Sequence, residues 1–321
     1  QKNFQFGKRP PLKWIILIEV FWRDMKKIIK IISITFFIAL FTSIILVGTK
    51  SQLGNPTITE LSTPAWTESG PLELSPERAR FALLYSIIEN KSFQFDTETA
   101  RLATPDLGYK NGRYVSLFAP GTSLLMIPGY IMGKASVGTH LGATLTIGFF
   151  ALLNTWMIYL IARRLGASPV ASIIGSLVFI TATPAFTYSG VIYQHHISTF
   201  VILLTLLLSI MPAIAWRLAI IYFMLGISII IDYPNAFFIF PIIIYATWQF
   251  FTYTKAVNNI KLKFNPAIFM SAFTIVIPLS LYLAINYISY GNILQLSNTV
   301  SHIQALDPSG NPVAARGADV R

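Results

Sequence analysis

Apolar stretches long enough to cross a hydrocarbon core, which takes about 20 helical residues, recur along this chain between short polar clusters. Pro10-Pro11 breaks the polar amino-terminal stretch, and from Lys13 to Lys30 an apolar set (Trp14, Ile15, Leu17, Ile18, Phe21, Trp22) is interleaved with basic residues, the pattern of an interfacial amphipathic helix. Ile28 to Val47 reads as a first span, too long and without the small-residue cleavage site of a signal peptide. A long polar stretch follows, Lys50 to Pro120. Ser123 to Met132 is apolar but interrupted by Pro128-Gly129, which predicts a re-entrant or interfacial turn. Six further spans are expected at about His140–Ile161, Val170–Phe186, the run after Tyr193-Gln194-His195-His196 to Pro212, Trp216–Ile231, Ala236–Phe251 and Ile268–Ile285. Asp307 to Arg321 reads as a flexible tail.

The expected fold class is therefore an all-α integral membrane protein of about seven transmembrane helices, with a long extracytoplasmic first loop containing amphipathic helices. Its parts are a cytoplasmic amino terminus with the interfacial helix (1–27), the first transmembrane helix (28–48), the loop (49–137), helices two to seven (138–288) and an extracytoplasmic tail (289–321).

Composition agrees: 54% of the residues are apolar and 12% charged. The absence of cysteine rules out disulfides and thiolate metal sites. A net charge of +11 would suit nucleic acid, but its placement argues otherwise. On a seven-span topology, 14 of the 24 Lys and Arg but only 2 of the 13 carboxylates share the side of the amino terminus. That bias places the amino terminus in the cytoplasm and the 49–137 loop outside, with anionic phospholipids as the partner of the basic charge and no nucleic acid.

Eight of the 13 carboxylates lie between Lys50 and Pro120. The other unusual polar clusters, Tyr193 to His196, Asp232-Tyr233-Pro234-Asn235 and Asn286 to Asn292, fall on the same expected side, which predicts an outer polar cavity roofed by the loop. Asn90-Lys91-Ser92 has the form of a glycosylation acceptor. Nucleotide-binding Gly-rich loops, His-Glu-x-x-His and Gly-x-Ser-x-Gly are all missing.

The stretches Leu74-Ser75-Pro76-Glu77-Arg78-Ala79-Arg80-Phe81, Asn111-Gly112-Arg113-Tyr114-Val115-Ser116 and Ala119-Pro120-Gly121 leading to Ile127-Pro128-Gly129-Tyr130 stand in an order that resembles a known family. With Asp232-Tyr233-Pro234 and Asn286-Tyr287 to Tyr290-Gly291, the chain is similar to the amino-terminal seven-helix module of GT-C-type polytopic membrane glycosyltransferases, the protein O-mannosyltransferase and aminoarabinose-transferase group. The resemblance implies transfer of a sugar from a polyprenyl-phosphate donor to an acceptor on the extracytoplasmic face. It also implies a carboxylate just after the first span, whereas Thr49 to Thr59 has none. A non-catalytic GT-C-like subunit of a larger membrane protein complex is the alternative, and a transporter ranks below it for want of an internal repeat.

Such a transfer needs a carboxylate base and cations where phosphate charge develops. Glu77 is the first candidate base, expected in the first turn of a helix capped by Ser75, where a Glu that only favours the dipole would also sit. Asp106, in a turn sequence, and Asp232, at the end of a span, are the other catalytic candidates. Arg78, Arg80, Lys110, Arg113, His195 and His196 are candidates for phosphate or donor binding, with headgroup contact the plainer reading of the basic ones. Adjacent histidines point about 100° apart on a helix, so no metal site is expected from them. No cofactor is certain, and a divalent cation stays open.

Overall fold

The computed structural model describes residues 48–256, 259–263 and 265–314, with 20–25 and scattered positions up to 46. The expected interfacial helix and first span fall largely outside the described residues. The contacts divide the chain into Gln1–Val47 and Gly48–Arg321, and the second unit carries everything below. Its elements are numbered from Ile58.

Two short helices, α1 (Ile58–Leu61) and α2 (Pro64–Thr67), open the unit. Thr57 and Glu60 cap α1 reciprocally, Thr57 Oγ1 accepting from the Glu60 amide and Glu60 Oε2 from the Thr57 amide. Helix α3 spans Ser75–Ile88 and starts one residue earlier than expected: Leu74 is its cap, and Ser75 makes no capping hydrogen bond. Glu77 is thus the third helical residue. After β1 (Gln94–Phe95) comes α4 (Thr97–Ala103), capped by the Asp96 carboxylate, which accepts from the Thr99 amide at 2.8 Å.

Strands β2 (Leu107–Lys110) and β3 (Arg113–Ser116) form a hairpin whose two turn residues, Asn111 and Gly112, both have positive φ (53° and 77°), as a type I′ turn requires. The segment read as a tail supplies two more strands, β6 (Ser301–Leu306) and β7 (Pro312–Ala314). The sheet is antiparallel in the order β1-β3-β2-β6-β7, and the register sets Leu107 opposite Ile303, both fully buried. The polar stretch and the carboxy-terminal segment are therefore one folded layer.

Where a re-entrant turn was expected, α5 (Gly121–Lys134) runs through Pro128 and packs antiparallel on α6 (Thr139–Arg164). Glycine here permits close approach rather than a break: a Cβ on Gly142 would stand 2.1 Å from the Gly129 carbonyl oxygen and 2.7 Å from Gly133 Cα. Ser51 Oγ and His140 Nδ1, 2.6 Å apart, tie the start of the unit to α6, and Trp66 and Phe81 pack against the buried imidazole.

The seven-span fold is not what the structure holds. The apolar runs after α6 fold as α7 (Pro169–Thr181), α8 (Ala185–Ser189), α9 (His195–Ser209), α10 (Ala215–Ile231) and α11 (Asn235–Trp248). Excluding α8, these have 13 to 17 residues, about 20–26 Å, short of a 30 Å core. Their ends are set by polar punctuation: Ser168 Oγ caps α7, and Asp232-Tyr233-Pro234 separates α10 from α11. The hairpin β4 (Thr252–Ala256) and β5 (Asn259–Lys263) follows, then α12 (Ala267–Ala272) and α13 (Val276–Tyr290), joined by a 3-10 turn into one continuous helix. Among the described residues two helices, Thr139–Arg164 and Ala267–Tyr290, are long and apolar enough to cross a membrane.

Candidate functional site

Ionisable side chains from four separate segments converge where α3 meets the ends of α9 and α10. Glu77 and Arg80, three residues apart, share one face of α3 and are 3% and 4% exposed. Glu77 Oε1 accepts from the Ile192 amide at 2.7 Å. Burial lifts the Glu77 carboxyl from 4.5 to about 7, against the opposing pull of that hydrogen bond and of the Lys50 and Arg80 charges.

The Arg80 guanidinium donates from Nη1 to the Pro76 carbonyl at 3.0 Å and from Nη2 to Gln194 Oε1 at 2.5 Å. Gln194 Nε2 in turn donates to Asp232 Oδ2 at 3.2 Å, so the amide relays the cation to a carboxylate across 114 and 38 residues of chain. The guanidinium carbon sits 4.0 Å from the Phe118 ring centroid and 5.2 Å from that of Tyr193. Burial lowers its pKa to about 10, with Tyr193, Asp232, Asp106 and Glu77 opposing, and it stays charged at neutral pH.

Asp106 is half-buried, and its Oδ2 is buried with no hydrogen-bond partner among the described residues. It is held in place indirectly by Arg78, which donates to the carbonyls of Leu72 at 3.1 Å, Glu73 at 3.0 Å and Thr104 at 3.0 Å. Arg78 thus braces the Asp106 turn against the start of α3 and has its donors spent on backbone. His195, exposed at the start of α9, lies parallel to Tyr193 with centroids 5.4 Å apart and edge-on to Tyr188 at 4.4 Å.

Of the residues singled out in the sequence, Glu77, Arg80, Asp106, His195 and Asp232 therefore share one site, with Arg78 behind it. Lys110 and Arg113 do not join them: they face each other across the β2–β3 turn, and Arg113 donates to Gln94 Oε1 at 3.3 Å. His196 points away into the helices, where Asn154 Nδ2 is 3.2 Å from Nδ1 and the Ala185 carbonyl 2.8 Å from Nε2. The Asn90 side-chain amide donates to Asp96 Oδ2 at 3.0 Å. Phe118, Tyr188 and the Ile192 amide were not legible as site groups, whereas Tyr193 and Gln194 stood inside the flagged polar cluster.

Among the described residues no group of three or more His, Asp or Glu side chains is arranged to hold a metal ion. A cleft of about 390 Å³ lined by residues including Gln52, Asn55, Glu60 and Trp66 lies apart from the site and shares none of its side chains. No protein-family model, curated protein or solved structure matches this chain.

Proposed function

We propose that the chain is a glycosyltransferase that moves a sugar from a polyprenyl-phosphate donor to an acceptor on the extracytoplasmic face of the membrane. The observation that carries this reading is the convergence of a buried carboxylate, whose pKa burial brings to about 7, with a buried guanidinium that remains charged. A base works best with a pKa near the operating pH. In the proposed step the acceptor hydroxyl oxygen attacks the anomeric carbon, the carbon–oxygen bond to phosphate breaks, and polyprenyl phosphate leaves with the electron pair. The acceptor proton passes to Glu77 Oε2, since Oε1 is committed to the Ile192 amide. Arg80 offsets charge developing on the leaving phosphate. Asp232, joined to the guanidinium through Gln194, offers an acceptor to sugar hydroxyls, and the Asp106 carboxylate adds negative charge nearby. In this reading the basic residues before Lys30 face the cytoplasm, and anionic phospholipids and membrane proteins are its neighbours.

The near-complete burial of Glu77 and Arg80 also favours a second reading, in which the cluster is a structural brace of a non-catalytic subunit in a membrane complex. Turnover separates the two. Full-length protein in detergent is incubated with labelled polyprenyl-phosphate hexoses and pentoses, with water and simple glycosides as acceptors. An enzyme releases or transfers the sugar and loses this in Glu77→Gln while staying folded. A brace does neither in any variant.

A further inference from the structure

We propose that Tyr188, Tyr193 and His195 form a platform on which the pyranose ring of the substrate stacks. This rests on the transferase reading and assigns the sugar subsite within it. Four groups touch in turn: Phe118, the Arg80 guanidinium at 4.0 Å, Tyr193 at 5.2 Å from that guanidinium, and His195 parallel to Tyr193 within 8°. Tyr188 stands at 67° to Tyr193 and 68° to His195, so the three outer rings make a corner. Aromatic rings that serve only as core, such as Phe81 and Tyr130, are 0% and 1% exposed. These three keep exposed or half-exposed surface beside a buried cation.

The corner is also rigid. Ser189 is fully buried, and a Cβ on Gly190 would stand 2.6 Å from the Gly48 carbonyl oxygen. Two residues on, the Ile192 amide is fixed by Glu77, and Gln194 is held between Arg80 and Asp232. Rings anchored at every second residue of their loop lose little freedom when a ligand stacks on them. The apolar face of a pyranose matches an exposed ring, while its hydroxyls need acceptors at the edge. Asp232, tied to the same glutamine that precedes His195, is a carboxylate placed to accept from them.

The test is saturation-transfer NMR on the full chain in detergent, with methyl glycosides of an aldohexose, an aldopentose and an amino sugar as probes. Each protein is checked for its thermal unfolding midpoint, and Tyr193 is left intact because it packs on Arg80. Replacing His195 or Tyr188 by Ala should weaken glycoside binding about three- to tenfold, the scale of one aromatic contact. Tyr188→Phe and His195→Phe should restore it, and Lys110→Ala, at the β2–β3 turn away from the site, should leave it unchanged. Binding indifferent to the two Ala variants overturns the platform. So does failure of every glycoside to bind while the chain still binds polyprenyl phosphate, a result that leaves the transferase reading standing. If neither glycoside nor lipid binds, both readings fall.

Discussion

Replacing Glu77 by Gln should stabilise the protein at alkaline pH while abolishing the proposed transfer. Burial raises this carboxyl from 4.5 to about 7, so between those values the folded state keeps a proton that the unfolded chain has released. Stability contributed by the site therefore falls as pH rises across that window. Below 4.5 both states are protonated and the penalty vanishes; above 7 it is complete. At 1.36 kcal/mol per unit, the shift amounts to about 3 kcal/mol. Glutamine keeps the shape, can still accept from the Ile192 amide through Oε1, and carries no charge to desolvate. Thermal unfolding followed by tryptophan fluorescence, in detergent from pH 4.5 to 9, should show the two proteins within about 1 kcal/mol at the acid end and the variant ahead by several degrees at pH 8. A difference that is flat in pH, or a variant less stable than the parent at pH 8, would refute the claim that Glu77 is held in an unfavourable charged state.

Glu89 should behave in the opposite sense. Burial pushes its pKa up, but donation from Lys134 Nζ at 2.7 Å and Tyr130 Oη at 2.9 Å outweighs this and holds it below 4.5. Its contribution is present above 4.5 and lost as pH falls through the lowered value, so Glu89→Gln should destabilise at pH 7 and approach the parent as the solution is acidified below 4.5, as unfolding midpoints will show. Gly142→Val should cost at least about 1–3 kcal/mol, because the new Cβ meets the Gly129 carbonyl and not a movable side chain. Ser51→Ala leaves the buried His140 Nδ1 without its hydroxyl partner and should cost about 1–3 kcal/mol, whereas Ser51→Thr should recover most of it.

The site was more legible in the sequence than the fold. In a chain this apolar, each ionisable residue away from the termini is conspicuous, and Glu77, Arg80, Asp106, His195 and Asp232 stood out for that reason. What could not be read was the partner of each: Gln194 joins Arg80 to Asp232 only once three distant segments meet. Arg78 and Arg80 look equivalent in sequence, yet a separation of two residues, about 200° around the helix, sends the first to the Leu72, Glu73 and Thr104 carbonyls and the second to the Pro76 carbonyl and the Gln194 amide oxygen. Asn111-Gly112, quoted only for the resemblance, closes a β-hairpin that the all-α expectation did not contain. The ends of these runs were read closely, Trp216–Ile231 against the observed Ala215–Ile231, but runs of this length were taken as spans although 13 to 17 helical residues fall short of a 30 Å core. Exposed side chains on the short helices compounded this: Phe237, Phe238 and Phe240 are 81%, 63% and 60% exposed, so apolar composition there does not report an interior. Strand β6 escaped notice because its partner β2 lies nearly two hundred residues earlier and only Ile303 carries its buried face.

The most direct test of the central claim is release or transfer of labelled sugar from polyprenyl-phosphate donors by the purified full chain, run beside Glu77→Gln. The account predicts turnover by the parent and none by the variant, with donor lipid still bound by both. Equal turnover in the two proteins, or no turnover and no bound lipid in either, would contradict it.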